Sequence, residues 1–586
     1  MTADRSPAGQ PGGEILWTNA ARCRDCNRCV TSCPVKAVRK QGGQAQVMAD
    51  RCILCGRCVL ECPQGAKSYR DETEVAQALI ASGIPVIASV APSYPAAFSP
   101  AESRALPSVL RQLGFRSVTE TAVGADLVAR ACADLVSARP EGVYLASACP
   151  AVAEYVRRFQ PGAAAALLEV VSPMIAHARF LKSVHGEQAA VVFIGPCIAK
   201  KAEAAAEGER RTVAAVLTFE ELRLWAARQA IDFDQAEPSG FDDALPGKGR
   251  HFPLGGGLAH AAGWPTDRLA RQMLAVTGPE AVREAVEYLQ KVSETAIVEA
   301  LMCPGGCLGG VGMPRGYGRL QARHAFMKAL SSTADYGDFR RGPAAAPVPV
   351  DLRTEYLPEA AVEPAFEEAA IRQVLARTGK LEPADELNCR ACGYATCREK
   401  AVAVLRGMAE VDMCIPFMRR YAELQSDAIV QNSPNAIVIL DRDLRILRVN
   451  TQFCRLFLTS EGCHGKHISY FLDAEPFRRV LAGEVDLYDE TVHHTAYSLV
   501  CQQLVYRVGS EESTEVVGIL VNLTRSKRQE AELDLLRREA LERAENVIDN
   551  QVHIAQEVAK LLGKSAAETR ATLARLTELV RRKEGD

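Results

Sequence analysis

Short runs of apolar residues alternate with longer Ala- and Arg-rich stretches through the middle of the chain. These runs are Ile84–Val90, Gly142–Leu145 and Ala189–Ile194. Apolar runs of this length, separated by segments long enough to form helices, are typical of parallel strands joined by crossover helices. The pattern therefore predicts an α/β domain from about residue 73. The longest charge-free stretch, Ala78–Pro100, is interrupted by prolines, so we expect a buried strand and loop there rather than a membrane span.

The pattern changes near Ser426 and predicts a second α/β region. Over Ile429–Asn450 it indicates a helix, a strand, a tight turn at Asp441–Asp443 and another strand. A helical segment is expected from Asn450. Further strands are predicted near Ser498–Val508 and Glu515–Leu523.

Beyond Thr524 the residues indicate charged helices. Five side chains follow a spacing of three and four residues, as a helix-packing seam requires: Val547, Gln551, Ile554, Val558 and Leu561. We expect Gly563 to end this helix, and Ser565 with Glu568 to form the capping box that opens a last one. Residues 526–586 are thus predicted to be two output helices that form a homodimer.

Composition limits the class of protein. A chain of 586 residues is too long for one core and indicates three to five domains. The net charge of −3 gives no reason to expect a nucleic-acid partner. The first residues are polar and show no secretory signal. With no membrane span expected either, we predict a cytoplasmic location.

Twenty cysteines are many for that compartment, where disulfides are rare, so metal ligation is the leading explanation. Two tandem runs have the spacing C-x2-C-x2-C-x3-C-P, in which the fourth Cys of each run ligates the other cluster. One 4Fe–4S cluster is therefore assigned to Cys23, Cys26, Cys29 and Cys62, and a second to Cys52, Cys55, Cys58 and Cys33. Zinc would favour two separated CxxC pairs. Residues 21–70 resemble a bacterial two-cluster ferredoxin, a module that transfers single electrons.

Three further cysteine elements lie in the α/β region, and the first two directly follow predicted strands. They are Ser147-Ala-Cys149-Pro150, Gly195-Pro196-Cys197 and Cys303-Pro-Gly-Gly-Cys307. Residues placed just after the ends of parallel strands converge in one crevice. Glycines around the last pair allow the backbone to approach a bulky inorganic group closely.

These three elements resemble the signature loops of FeFe-hydrogenases. The resemblance covers about residues 73–335 and implies an H-cluster, in which Cys149, Cys197, Cys303 and Cys307 hold a 4Fe–4S cluster and Cys307 bridges to a diiron subcluster. It further implies that the diiron centre carries CO, cyanide and a dithiolate bridge, and that maturases assemble it. Catalytic roles are implied for Cys307, Lys200 and Glu203, and cofactor contacts for Lys200, Ser147 and Pro196.

The chain departs from the hydrogenase pattern where protons are normally transferred. Ala148 stands where catalytic members have a proton-donating Cys, and Leu301 where a Met often stands. Gly195 replaces another Met, and Ala131 and Cys132 occupy a helix where acidic relay residues are expected. Cys132, Glu220 and Glu221 are alternative relay candidates. Without a fast proton donor turnover is expected to be slow, which suits a sensor.

A third iron–sulfur module is indicated after a Pro- and Ala-rich linker. Its four thiols are Cys389, Cys392, Cys397 and Cys414, and it resembles a small 4Fe–4S domain found in corrinoid and carbon monoxide proteins. Zinc remains an alternative, since four thiolates do not identify the metal. The region from 421 resembles a PAS domain, whose fold names no ligand.

The expected architecture is multidomain, α+β and α/β. Its parts are a flexible N-terminus (1–20), a two-cluster ferredoxin domain (21–72), the hydrogenase catalytic α/β domain (73–340), a linker and helix (341–378), a four-Cys 4Fe–4S domain (379–420), a PAS domain (421–525) and C-terminal helices (526–586). The expected partners are H2 and protons, a redox partner protein, maturases, and a kinase or phosphatase.

Two alternatives to a hydrogen sensor stay open. One is a metabolic hydrogenase that serves a ferredoxin. The other is a non-enzymatic iron–sulfur redox sensor, or a cytosolic iron–sulfur assembly factor of similar fold, with no diiron centre.

Overall fold

A computed structural model describes residues 14–207, 212–242, 246–266, 272–314, 316, 318–331, 350–361, 363–509 and 514–581. The described chain divides into two compact units between Phe417 and Met418. Among the described residues, no helix combines the length and the apolar character needed to cross a bilayer.

The first unit begins with a small domain of short elements. Its strands and helices are β1 (Leu16–Thr18), α1 (Arg28–Ser32), β2 (Val38–Gln41), β3 (Gln44–Val47), α2 (Arg57–Leu60) and β4 (Lys67–Tyr69). Strands β1 and β4 pair antiparallel, as do β2 and β3. The predicted flexible N-terminus over 1–20 is corrected here: β1 is held by backbone hydrogen bonds to β4, and Leu16 is buried. Residues 1–13 lie outside the described residues.

Two parallel sheets form the centre of the first unit, as the apolar runs predict. Its strands are β5 (Val86–Val90), β6 (Ser117–Glu120), β7 (Val143–Leu145), β8 (Ala190–Gly195), β9 (Ala215–Thr218), β10 (Met273–Thr277) and β11 (Ala296–Leu301). One sheet has the order β6-β5-β8-β9 and the other β10-β11-β7. Every residue of β5, β8 and β11 is buried, which explains why these strands are mostly apolar rather than alternating. Ser89 and Glu299 are the buried polar residues within them.

Helices connect and cover these strands. They are α3 (Thr73–Ala81), α4 (Pro100–Gln112), α5 (Ala122–Ala138), α6 (Pro150–Phe159), α7 (Pro173–His185), α8 (Ala199–Ala206), α9 (Phe219–Arg228), α10 (Gly257–Ala262), α11 (Pro279–Leu289) and α12 (Arg319–Ser331). Helix α5 packs closely on α7, because a Cβ at Gly124 would lie 2.4 Å from the Pro173 carbonyl oxygen.

The region after the predicted linker carries two helices, α13 (Glu368–Arg377) and α14 (Cys397–Leu405), and packs on the ferredoxin-like domain. Residues 341–349 of the linker lie outside the described residues. Lys40 is buried and forms ion pairs with Asp25 in its own domain and with Glu410 and Asp412 in the later one. This cation joins two segments that are more than 300 residues apart in the sequence.

The second unit contains a five-stranded antiparallel sheet with the order β13-β12-β16-β15-β14. Its elements, with the helix α15 that leads into it, are α15 (Ile415–Gln431), β12 (Ala436–Leu440), β13 (Ile446–Val449), α16 (Thr451–Leu456), α17 (Glu475–Leu481), β14 (Leu487–His494), β15 (Leu499–Val508) and β16 (Glu515–Asn522). The predicted turn and helix start are confirmed: Asp441 Oδ1 accepts from the Asp443 and Arg445 amides, and Asn450 caps α16 by accepting from the Phe453 amide.

One helix, α18 (Thr524–Arg581, 58 residues), ends the described chain. The predicted break at Gly563 and the capping box at Ser565 are wrong, since the helix passes through both positions without interruption. A glycine inside a helix costs only about 1 kcal/mol relative to alanine, and the strong helix formers on both sides compensate for it. The seam residue Val547 is 60% exposed within a single chain.

Candidate metal centre

The loops after β7, β8 and β11 meet around one cavity of about 100 Å³. The four thiols predicted to converge all line it: Cys149, Cys197, Cys303 and Cys307. Strands β7 and β11 belong to one sheet and β8 to the other, so the carboxyl ends of two sheets supply the site. The rest of the lining is mostly apolar and includes Phe193, Phe252, Leu258, Leu301 and Met302.

The chemistry of these thiols fits a metal cluster better than free cysteine. Burial raises the pKa of Cys197 to about 11, and burial followed by the neighbouring thiolates raises the pKa values of Cys303 and Cys307 further. Lys200 opposes this effect at Cys197 and Cys307. Without a ligand these sulfurs would stay protonated at neutral pH, whereas metal binding displaces their protons. Soft sulfur donors grouped in a buried pocket suit iron.

The glycines beside these thiols lie at close backbone contacts that leave no space for a side chain. Gly306 has a φ of +77°, and a Cβ there would lie 2.2 Å from the Pro253 carbonyl oxygen. At Gly310 a Cβ would lie 2.5 Å from the Pro196 carbonyl oxygen. The loop therefore packs tightly against the strand-end segments, which sets the positions of Cys303 and Cys307 in the cavity.

Gly306→Ala is expected to lower the free energy of unfolding by about 2–4 kcal/mol, because overpacking and a left-handed backbone each add a cost. Iron content should fall with it, since the loop carries two of the grouped thiols. Gly42→Ala is the matched control: its φ is +58° but no atom lies within 4 Å of the new Cβ. Thermal unfolding and iron analysis check this, and equal losses in both variants would contradict it.

Lys200 and Glu203 form an ion pair at the edge of the cavity. Lys200 lines the cavity, and its Nζ lies 2.7 Å from Glu203 Oε2, one turn further along α8. Both side chains are largely buried. The pair therefore places a fixed cation beside Cys197, with a carboxylate that orients it.

Pro196 and Ser147, the two residues predicted to contact the cofactor, lie in different cavities. Pro196 lines the cavity. Ser147 instead donates its hydroxyl proton to the Val170 carbonyl oxygen at 2.7 Å and lines a neighbouring cavity of about 890 Å³. Ala148 lines the central cavity but Ser147 does not, so the geometry of Ser147 does not support the expected contact.

Ser93 is a polar residue of the cavity that the sequence analysis missed. It follows β5, its side chain is buried, and its Oγ has no hydrogen-bond partner within the described part of the chain. A buried hydroxyl without a partner is costly, which indicates a group for it to bind. The signal was a polar residue directly after a buried strand, in Ala91-Pro92-Ser93.

Glu299 is the second residue that was missed. It lies on β11, lines the cavity and is only 3% exposed. Burial raises its pKa to about 7, while the backbone N–H groups at the start of α10 lower it in part. The Ala259 amide donates to Glu299 Oε2 at 3.1 Å. A carboxylate inside a strand of apolar residues was the available signal.

The other relay candidates do not reach this cavity lining. Cys132 is buried next to Glu299, and burial raises its thiol pKa to about 12. Glu221 pairs with Lys201 at 3.1 Å and caps α9, and Glu220 accepts from the Tyr69 hydroxyl. These acidic groups are therefore occupied by structural contacts.

The departures from the hydrogenase pattern lie in the cavity wall. Ala148 lines it and presents only a methyl group. Leu301 lines it as well, and two methionines, Met174 and Met302, belong to the same lining. The space beside Gly195 is taken up by Phe193 and Ala91, since a Cβ at Gly195 would lie 2.7 Å from the Phe193 ring.

The ferredoxin-like thiols fall into two groups. Burial raises the pKa of Cys29; Lys67 opposes this, and Cys23, Cys26 and Cys62 are close enough to raise it further. Burial likewise raises the pKa of Cys55 to about 12, with further contributions from Cys33 and Cys52, and the same two thiols act on Cys58. In each group three thiols come from one cysteine run and the fourth comes from the other run, as expected when the fourth Cys of a run ligates the other cluster. The second adjoins the central cavity, because Cys55 contributes to the raised pKa of Cys303.

Of the four thiols predicted for the third module, Cys389, Cys392, Cys397 and Cys414, the structure shows an interaction only between Cys392 and Cys414 among the described residues. Burial raises the pKa of Cys392, Lys400 opposes this and Cys414 adds to it. Both thiols also act on Lys400, which lies near them. Cys397 begins α14, where its amide donates to Asn388 Oδ1 at 2.8 Å, and Cys389 is exposed.

Comparison with known families agrees with this arrangement. Residues 84–311 match the model for the iron only hydrogenase large subunit, C-terminal domain. Residues 15–63 match a 4Fe–4S dicluster domain, residues 385–416 an Fe–S cluster domain, and residues 430–527 a PAS fold.

Similar solved structures include FeFe-hydrogenases and PAS domains. A variant of the FeFe-hydrogenase HydA1 from Chlamydomonas reinhardtii is 20% identical, with a TM-score of 0.40, over 46% of this chain and 91% of that one. A PAS domain of an HTR-like protein from Haloarcula marismortui is 26% identical, with a TM-score of 0.16, over 18% of this chain and 96% of that one. The chain therefore combines segments that match the models of an iron only hydrogenase large subunit, a 4Fe–4S dicluster domain, an Fe–S cluster domain and a PAS fold.

Proposed function

We propose that this protein is a hydrogen-sensing FeFe-hydrogenase that oxidises H2 reversibly and slowly and signals through its PAS domain and C-terminal helix. One observation carries the proposal: four thiols from three strand ends line a single buried cavity with Lys200, while the wall position for the usual proton donor is Ala148. The first half of that observation supports hydrogen chemistry, and the second supports a low rate.

The proposed H-cluster would be held by Cys149, Cys197, Cys303 and Cys307, with Cys307 also facing the diiron part. When bound, the diiron unit supplies the place where H2 is split or formed. Lys200 would donate a charge-assisted hydrogen bond to an anionic ligand there, and Glu203 holds the Lys200 ammonium in place. The Ser93 hydroxyl is available as a second donor.

The cavity wall determines how protons reach this site. Its lining is mostly apolar, so proton transfer depends on the few polar side chains that reach it. Ala148 cannot carry one. Glu299, with a pKa of about 7, can hold and release a proton near neutral pH, and we assign it the proton-donor role.

Electrons would leave through the two ferredoxin clusters, of which the Cys33, Cys52, Cys55 and Cys58 group lies beside Cys303. A fourth cubane would be held by Cys389, Cys392, Cys397 and Cys414. The high cysteine content supports a reducing, cytoplasmic location. The exposed apolar side chains of α18 support a homodimer, and a kinase or phosphatase is the expected recipient of the signal.

Infrared spectroscopy of the full-length chain, produced with hydrogenase maturases, tests the proposal. CO and cyanide bands together with slow H2 oxidation are expected. Cys307→Ala should remove both, whereas the control Cys454→Ala, a half-buried PAS-domain cysteine, should retain them. If the wild-type chain shows no such bands and all its iron belongs to cubanes, it is a non-enzymatic iron–sulfur protein instead.

A further inference from the structure

Two buried lysines surround Cys414 in the third module. Lys380 is 7% exposed, and its Nζ lies 3.3 Å from Cys414 Sγ. The same ammonium donates to the Thr378 hydroxyl at 3.0 Å and to the Thr378 carbonyl at 3.4 Å. All three of its donors are thus directed, and one of them points at sulfur.

Lys400 is 5% exposed and approaches from α14. Its Nζ donates to the Val411 carbonyl oxygen at 3.0 Å, and it lies close enough to Cys392 and Cys414 for their charges to interact with it. Within the described part of the chain, no carboxylate forms an ion pair with Lys380 or Lys400. Buried cations without a carboxylate partner need another source of negative charge. At Lys400 the thiolates of Cys414 and Cys392 contribute more of it than the carboxylate of Asp412 does.

The other proposed ligands are bonded differently. Among the described residues, Cys33, Cys52 and Cys62 accept only backbone amides, at 3.2 to 3.4 Å, and Cys414 is the one proposed ligand that accepts from a lysine. Lys67 is a buried cation near the ferredoxin thiols, but its ammonium donates to Thr18 and Ala45. The third module differs because a lysine donates directly to one of its sulfur ligands.

We propose that Lys380 and Lys400 raise the reduction potential of the cluster held by Cys389, Cys392, Cys397 and Cys414, so that it collects electrons. Reduction adds one negative charge to the cluster and its thiolates. A hydrogen bond to sulfur and two buried positive charges stabilise that charge, and such contacts are known to set cluster potentials. Cys414 also directly precedes α15, whose N-terminal dipole acts in the same direction.

The packing of this module on the ferredoxin-like domain gives electrons a short path to it. Tyr394 is 5% exposed, its hydroxyl has no hydrogen-bond partner within the described residues, and both Cys392 and Cys33 contribute to its raised pKa. The neighbouring loop cannot withdraw easily, since a Cβ at Gly393 would lie 2.9 Å from Thr31 Cα. The Cys33 group is therefore a branch point between the central cavity and the third module.

In this scheme only the source of the electrons, the oxidation of H2, rests on the proposed function. Oxidation of one H2 releases two protons and two electrons, which pass singly to the ferredoxin clusters. Each electron that reaches the third cluster reduces it by one unit and reoxidises the Cys33-group cluster by one unit. The lysines transfer nothing, so their role is to position charge.

The test uses the full-length chain reconstituted with iron and sulfide alone, without maturases, so that it does not depend on the diiron unit. Electron paramagnetic resonance during a dithionite titration gives the midpoint potential of each cluster, and Cys414→Ser identifies the signal of the third one. Lys380→Met should lower the midpoint potential of the third cluster by about 59 mV or more. For a one-electron couple this shift is a tenfold change in the equilibrium constant for reduction. Lys400→Met should lower this potential too, while Lys380→Arg and the exposed-lysine control Lys291→Met should leave it near the wild-type value.

Unchanged midpoints in both methionine variants with intact iron and sulfide would overturn the inference, as would a Cys414→Ser spectrum identical to that of the wild type. If Lys380→Met loses its cluster, the midpoint potential of Lys400→Met tests the inference: a lowered value supports it and an unchanged value overturns it. A normal titration in a chain that shows no H2 activity would reject the proposed function and leave the lysine inference standing.

Discussion

Ala148→Cys is expected to raise the rates of H2 oxidation and evolution by about 100- to 10,000-fold, the range that general acid–base transfer typically contributes. The reason is geometric, because Ala148 lines the cavity directly before Cys149. A thiol there would stand beside the proposed diiron unit with a dissociable proton. Rates in both directions, measured with artificial electron carriers on maturase-loaded protein, check this prediction.

Ala148→Ser is the matched control. Its side chain is of similar size, but a hydroxyl is a far weaker acid than a thiol of pKa about 8.5. A gain confined to the cysteine variant identifies proton delivery as the limiting step. Equal rates in wild type and Ala148→Cys would remove the main structural reason for assigning a sensory role.

Glu299→Gln is expected to lower H2 turnover by about 100-fold or more, since it removes a buried carboxyl group that lines the cavity and has a pKa near neutrality. The wild-type rate should change with pH around 7, and that inflection should be absent in the variant. Glu299→Asp keeps a carboxyl group and should restore part of the rate. A Gln variant with full activity and an unchanged pH profile would exclude Glu299 from proton transfer.

A measurement of thermal stability distinguishes the loss of a proton donor in Glu299→Gln from unfolding of the variant. Burial raises the pKa of Glu299 from 4.5 to about 7, so the folded protein binds a proton that the unfolded chain releases between these values. The stabilising contribution of the neutral carboxyl is complete below pH 4.5 and is lost as pH rises through 7, by at most about 3 kcal/mol. Glu299→Gln, which stays neutral, should therefore unfold at the same or a higher temperature than wild type at pH 8.

The parts of the fold that the sequence predicted well are those with a strong periodic or spacing signal. The strand Val86–Val90 could be predicted from the run Ile84–Val90 because a parallel strand buried on both faces is mostly apolar. The two ferredoxin groups could be predicted because cluster geometry dictates the loop spacing of Cys23 to Cys33.

Other features depended on tertiary contacts that no local pattern records. Ser93 and Glu299 are single polar residues in apolar surroundings, and their importance becomes visible only when strand ends from two sheets meet. Lys380 and Cys414 are 34 residues apart, so their contact could not be predicted from spacing. Gly563 was misjudged because its helix penalty is small beside the propensity of its neighbours.

The uninterrupted α18 has a consequence for how the protein operates in a cell. Its 58 residues extend about 87 Å, and its apolar residues are largely in contact with water in a single chain. An isolated helix of this kind gains most of its stability from association, so its order follows mass action. The abundance of the protein would then determine, together with hydrogen, how much signalling-competent material exists.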